Sequence, residues 1–179
     1  MPGNLQATGS AAASLVYADG SVPGGNTVAN TTTETAFSSS YTIPANRLKV
    51  NSVILVKLYG TYGTTIVSPT LTGKFKIGGQ TVLNTGALTA VANLSNVGWW
   101  ADAVLIVTSI GVTGTIEVQG YAEFASAATT GLSVNLANTS TFTVDTTGTL
   151  ALTITIQWGT ANAANTITLR PIFVRILDA

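Results

Sequence analysis

Stretches of alternating apolar and polar residues recur along this chain, separated by short segments rich in Gly, Asn, Ser and Thr. In residues 149–158 the even positions are Leu150, Leu152, Ile154, Ile156 and Trp158, and the odd ones are Thr149, Ala151, Thr153, Thr155 and Gln157. Successive side chains of an extended chain point to opposite faces, so this pattern predicts a strand with one face on a core. Residues 115–124 read the same way, with Ile116, Val118, Ala122 and Phe124 inward and Glu117, Gln119, Tyr121 and Glu123 outward. Residues 71–77 and 80–83 flank Gly78-Gly79, which predicts a hairpin.

A second class of strand is apolar on both faces. Residues 37–62 open on polar residues, turn a corner at Pro44-Ala45-Asn46, and enter the run 53–59. There Ile54, Val56 and Leu58 share one face, while Val53, Leu55, Lys57 and Tyr59 share the other. Residues 97–110 carry Val97, Trp99, Ala101, Ala103, Leu105 and Val107 on one parity and Trp100, Asp102, Val104 and Ile106 on the other. The first is expected to be a strand buried largely on both sides, and the second to have another layer or another subunit on each side. The last strand, 166–177, changes parity near Pro171. Ile167 and Leu169 fall on one face and Ile172, Val174 and Ile176 on the other, which predicts a bulge or an edge. The Thr-rich residues 27–39 read as one half-exposed strand. Short strands are expected at 14–17, 132–136 and 141–144, and a loop over 84–96. No 3.6-residue period marks a helix. The prediction is an all-β fold, an antiparallel β-sandwich of jelly-roll type with about eight to ten strands over residues 14–177. An extended arm precedes it over 1–13, and a tail follows at 178–179.

Composition sharpens this picture. The 179 residues suit one domain with a sizeable core. The chain is 46% hydrophobic but only 8% charged, about a third of the usual ~25%. Seven Lys and Arg balance seven Asp and Glu, so no net field steers nucleic acid or an anionic membrane, and neither is expected as a partner. A neutral, charge-poor surface lacks electrostatic protection against self-association, which suits packing with copies of itself. With no Cys and no His, disulfides, thiolate chemistry, the usual zinc and iron ligand sets and the Ser-His-Asp triad are all excluded. No cofactor is expected. The first basic residue is Arg47, so no cationic segment introduces the short apolar run at 11–16 as a secretory signal. No run reaches the ~18 apolar residues of a membrane span.

Candidate chemistry is sparse. Glycoside hydrolysis needs two carboxyl groups about 5 to 9.5 Å apart. Glu117 and Glu123 share a face but lie six residues apart on one strand, roughly 20 Å. Asp102 on another strand is free to face either. Trp99 and Trp100 are adjacent, so at most one can enter a given groove, and core or interface is the preferred reading. Asp19 and Asp145 each offer a single carboxylate to calcium, too few for a site. Lys74 and Lys76 share a face, with Lys57 a candidate neighbour, and a solvated face is expected. Sequons begin at Asn30, Asn93 and Asn138, at the frequency chance gives in so Asn- and Thr-rich a chain. No catalytic constellation emerges, so an enzyme is not expected. The candidate interface or binding residues are Trp99, Trp100, Tyr59, Tyr62 and Tyr121.

The run Thr31-Thr-Thr-Glu-Thr-Ala-Phe37 leading to Tyr41-Thr-Ile-Pro-Ala-Asn46 and the long strand after it resembles a group of tailed-bacteriophage virion proteins. So do residues 71–77 with Gly78-Gly79-Gln-Thr-Val-Leu83, the Asn96-Val-Gly-Trp99 opening of a long strand, and the closing Asn165-Thr-Ile-Thr-Leu169. The likeness spans about residues 27–177. It implies a jelly-roll component of the virion: capsid decoration, head fibre or spike, or tail-tip piece. It also implies a homo-oligomer, often a trimer, lodged among other virion proteins such as the major capsid protein. Two functional expectations follow. One is a non-catalytic structural protein of the head surface. The alternative is a receptor- or glycan-binding domain of a tail or fibre tip, with Tyr59, Tyr62 or Tyr121 in a groove.

Overall fold

Among the described residues, every strand pairing in the computed structural model of this chain is antiparallel. The structure describes residues 14–19, 26–127, 130–137 and 140–178. The expected arm over 1–13 and the Asn138 sequon lie outside them. Among the described residues, nine of the strands are five residues or longer: β1 (Ser14–Asp19), β5 (Val53–Gly63), β6 (Thr70–Ile77), β7 (Gln80–Asn84), β9 (Val97–Ser109), β10 (Gly114–Ala127), β11 (Thr130–Ala137), β13 (Leu150–Trp158) and β14 (Thr166–Leu177). Five short segments complete the set: β2 (Thr27–Ala29), β3 (Thr35–Ala36), β4 (Tyr41–Ile43), β8 (Leu88–Thr89) and β12 (Phe142–Val144). They build two sheets packed as a β-sandwich. The larger runs β1-β14-β5-β9-β10-β11, with β12 beside β10 and β2 beside β14. The smaller runs β3-β13-β6-β7, with β4 beside β13 and β8 beside β6.

The core is the meeting of the two inner faces. Ile54, Leu105, Ile116, Ile167, Ile172 and Val174 come from the large sheet, and Ile43, Leu71, Ile77, Leu152, Ile156 and Trp158 from the small one, all buried. The β6–β7 hairpin forms as expected, with Gly78 and Gly79 at φ 55° and 84°, the left-handed pair that a two-residue hairpin turn demands. The corner before β5 also forms. Asn46 takes φ 57°, the Arg47 N–H donates to the Pro44 carbonyl, and the Arg47 guanidinium grips both oxygens of Asp178 at 2.9 Å.

Three expectations change in the folded chain. The register of β14 against β5 shifts between Leu169 and Ile172, so the bulge at Pro171 restores parity. Ile167, Leu169, Ile172, Val174 and Ile176 therefore all face the core, rather than dividing between two faces. The Thr-rich segment 27–39 is not one strand: β2 pairs with β14 in the large sheet and β3 with β13 in the small one, so the segment crosses between layers. Among the described residues of the single chain, the runs at 53–59 and 97–110 have a second layer, the small sheet, over one face, and the second layer expected on the other face is not formed. Their second faces, with Lys57, Tyr59, Val104 and Ile106 exposed, form the outer surface of the large sheet.

Trp99 shows how the inner face is fixed. Its indole stacks between Phe37 (centroids 6.3 Å) and Phe124 (6.0 Å), and its Nε1–H donates to the Thr168 carbonyl at 3.1 Å. To reach that carbonyl the ring passes over Gly60, where a Cβ would lie 1.9 Å from the Thr168 oxygen and 2.4 Å from Nε1. Only glycine leaves room there.

Candidate functional site

Outward-pointing residues of β14, β5, β9 and β10 line up in cross-strand rows. Leu177, Val53, Ile106 and Glu117 form one row, and Arg175, Leu55, Val104 and Gln119 the next. Phe173, Lys57, Asp102 and Tyr121 follow, then Tyr59, Trp100 and Glu123. Across-strand neighbours sit close enough to touch, so each row is a continuous strip of side chains. Val104 and Ile106 are 39% and 40% exposed, and Tyr59 and Phe173 both 38%, high for large apolar groups in the middle of a sheet. Tyr59 meets Phe173 edge to face at 6.3 Å, and Trp100 meets Tyr121 at 5.2 Å. In their midst the Lys57 ammonium pairs with Asp102 Oδ2 at 3.4 Å. The other oxygen, Oδ1, is enclosed and accepts no hydrogen bond from the described residues. Val50 before β5, and Ile110 and Val112 in the β9–β10 turn, extend the exposed apolar surface at the Val53 end of the strands.

Of the five candidate residues, Tyr59, Trp100 and Tyr121 thus gather on this outer face. Trp99 and Tyr62 do not. Trp99 is in the core, and Tyr62, expected at the surface, is 3% exposed with its hydroxyl donating to the Ala125 carbonyl at 2.6 Å. Burial pushes the Tyr62 phenol up to about 12. The reason is parity: Tyr62 lies opposite Val97 and Ile167 on the inward side, edge to face with Phe124. Sequence reasoning did not single out Val104, Ile106 and Phe173 as site residues. Their signal was the second apolar face of β9, over which the described residues place no second layer.

The outer face changes character along the strands. Past Tyr59 and Trp100 the next outward positions are Thr61 and Gly98, with Thr168 and Thr27 continuing the row. Thr27 and Thr168 share a hydroxyl hydrogen bond of 2.8 Å. A cleft of about 480 Å³ opens here, walled by the Ser95-Asn96 loop and Ala164 and also lined by Thr166 and Arg170.

The remaining polar candidates are structural. Lys74 and Lys76 lie on the other sheet from Lys57, so the three do not cluster. They are also not a freely solvated face. Both bind Glu34, Lys74 at 2.5 Å, and the Thr155 hydroxyl adds a third bond at 2.9 Å. Those donors hold the Glu34 carboxyl at about 2, well below its usual 4.5. Asp102 lies opposite Tyr121, while Glu117 faces Ile106 and Glu123 faces Trp100. Asp145 accepts from the Thr147 N–H at 2.9 Å and the Thr147 hydroxyl at 2.6 Å, bonds that lower its pKa and close a local turn. Among the described residues no group of three acidic side chains converges as a metal site. The chain matches no protein-family model, no curated protein and no solved structure.

Proposed function

We propose that this chain is a non-catalytic structural protein that assembles with copies of itself, serving on the surface of a tailed-bacteriophage particle as a capsid-decoration or head-surface protein. The observation that carries the assembly reading is the outer face of the large sheet, where Val53, Leu55, Val104, Ile106 and Phe173 stand in register with no layer of the described residues over them. Burying such a face against another copy removes apolar area from water at about 25 cal/mol per Å². Sheets packed face to face at about −30° are a common way to do it. The charge-poor composition supports the same reading, since little electrostatic repulsion opposes contact. Within the face, the two ionic groups nearest the centre, Lys57 and Asp102, already pair with each other.

The particle assignment rests on the resemblance of residues 27–177 to phage virion proteins, which also implies a jelly-roll order, a trimer, and contact with other particle proteins such as the major capsid protein. Light scattering on a size-exclusion column tests the assembly, with a mass of three times the 18.2 kDa chain expected. Co-sedimentation with purified tailed-phage heads tests the location. A stable monomer that also fails to bind particles would overturn the proposal.

A further inference from the structure

We infer that the cleft at the threonine end of the outer face is a binding site for a carboxylate-bearing saccharide, with Arg170 as the group that holds the carboxylate. The site is distinct from the assembly surface. The assembly residue nearest the cleft, Phe173, stands opposite Lys57, four residues and about 13 Å along β5 from Thr61, so packing centred on Val53 and Leu55 leaves this end open.

The cleft is lined about equally by polar and apolar atoms and, at about 480 Å³, is of a size that suits one or two sugar rings. Thr27, Thr61 and Thr168 stand in one cross-strand row on its floor. A threonine hydroxyl both donates and accepts, which matches the paired character of sugar hydroxyls. Beside Thr61, Gly98 leaves the floor open: a Cβ there would meet no atom within 4 Å. One step along the strands Tyr59 and Trp100 end the threonine row, with their rings packed on Phe173 and Tyr121 outside the cleft.

Arg170 makes the ligand acidic. It sits in the β14 bulge, where the shifted register turns it into the cleft beside Thr168 rather than into a ladder. Most cations of this charge-poor chain are engaged: Arg47 by Asp178, Lys57 by Asp102, and Lys74 and Lys76 by Glu34. The Arg170 side chain forms no ion pair or hydrogen bond among the described residues. A guanidinium free in a hydroxyl-lined cleft offers a planar fork that fits a carboxylate through two parallel bonds.

Isothermal titration of the full chain with 3′-sialyllactose and with digalacturonic acid tests this, with lactose as the neutral arm and acetate as the bare anion. The two acids separate a sialic-acid ligand from a uronic-acid one. Binding of either acid is expected, weakened at least about tenfold by Arg170→Gln and unchanged by Thr72→Val on the small sheet. Thr168→Val should weaken the acids and leave the melting temperature near wild type. No heat from either acid, binding undiminished in Arg170→Gln, lactose binding as tightly as the acids, or acetate competing as well as the sugars would each overturn the inference. Light scattering on the same samples reads the oligomeric state separately, so assembly and saccharide binding can fail independently.

Discussion

Glu34 offers a quantitative test of how the two layers are tied together. It lies on the segment that crosses from β2 in the large sheet to β3 in the small one, and its carboxylate is the common acceptor for Lys74, Lys76 and Thr155. A carboxyl held at about 2 rather than 4.5 corresponds to a ceiling of about 3.4 kcal/mol. The side chains of Glu34, Lys74 and Lys76 keep 26%, 23% and 24% of their exposure, so solvent screening cuts this to about 1–2 kcal/mol. Because the folded-state value lies below the unfolded one, the stabilisation is fully present above about pH 5. It is lost as pH falls, with about a tenth left at pH 2. Glu34→Gln removes the charge but keeps an acceptor for Thr155. At pH 7 the variant should lose about 1–2 kcal/mol, and for a chain of this size each kcal/mol moves the melting midpoint by about 2–4 °C. At pH 3 the gap between variant and wild type should shrink to under half. Thermal unfolding followed by circular dichroism at the two pH values measures both numbers. A gap as large at pH 3 as at pH 7, or none at pH 7, would refute the reasoning.

Other outcomes follow from the same contacts. Gly60→Ala forces a methyl into the path of the Trp99 indole and the Thr168 carbonyl, and should cost about 2–3 kcal/mol in urea unfolding. Val104→Lys with Ile106→Lys should shift the light-scattering mass to that of a single chain while the melting temperature of the isolated domain stays within a few degrees; an unchanged mass would argue against this face as the assembly surface. In a spectrophotometric titration Tyr62 should ionise only near pH 12, and Tyr62→Phe should remove that step. Since folding raises this phenol, the stability tied to its neutral form is lost as pH climbs from about 10 through 12.

Parity along single strands was legible in the sequence. For β10 and β13 the alternation assigns the core face residue by residue, because a polar partner at every second position leaves one way to bury the apolar set. The hairpin at Gly78-Gly79, the corner at Pro44 and the break at Pro171 were legible too, since each depends on backbone geometry that few residues adopt. The candidate site was legible only in part. On β9 both parities are apolar, and nothing local distinguishes Trp99 from Trp100. Trp99 turns inward because Gly60 opposite gives its ring room and the Thr168 carbonyl accepts its N–H, groups 39 and 69 residues distant.

By itself, then, the sequence determined which residues extend, where they turn, and that the chain carries more apolar strand surface than charge. Which face each two-sided strand presents, which sheet a segment joins, and which cations meet which carboxylates were decided by the tertiary structure. The physical reason is range. Extension and turning are set by neighbours one to four positions away, whereas the Glu34 cluster, the outer apolar rows and the Arg170 cleft each join side chains that only packing brings together.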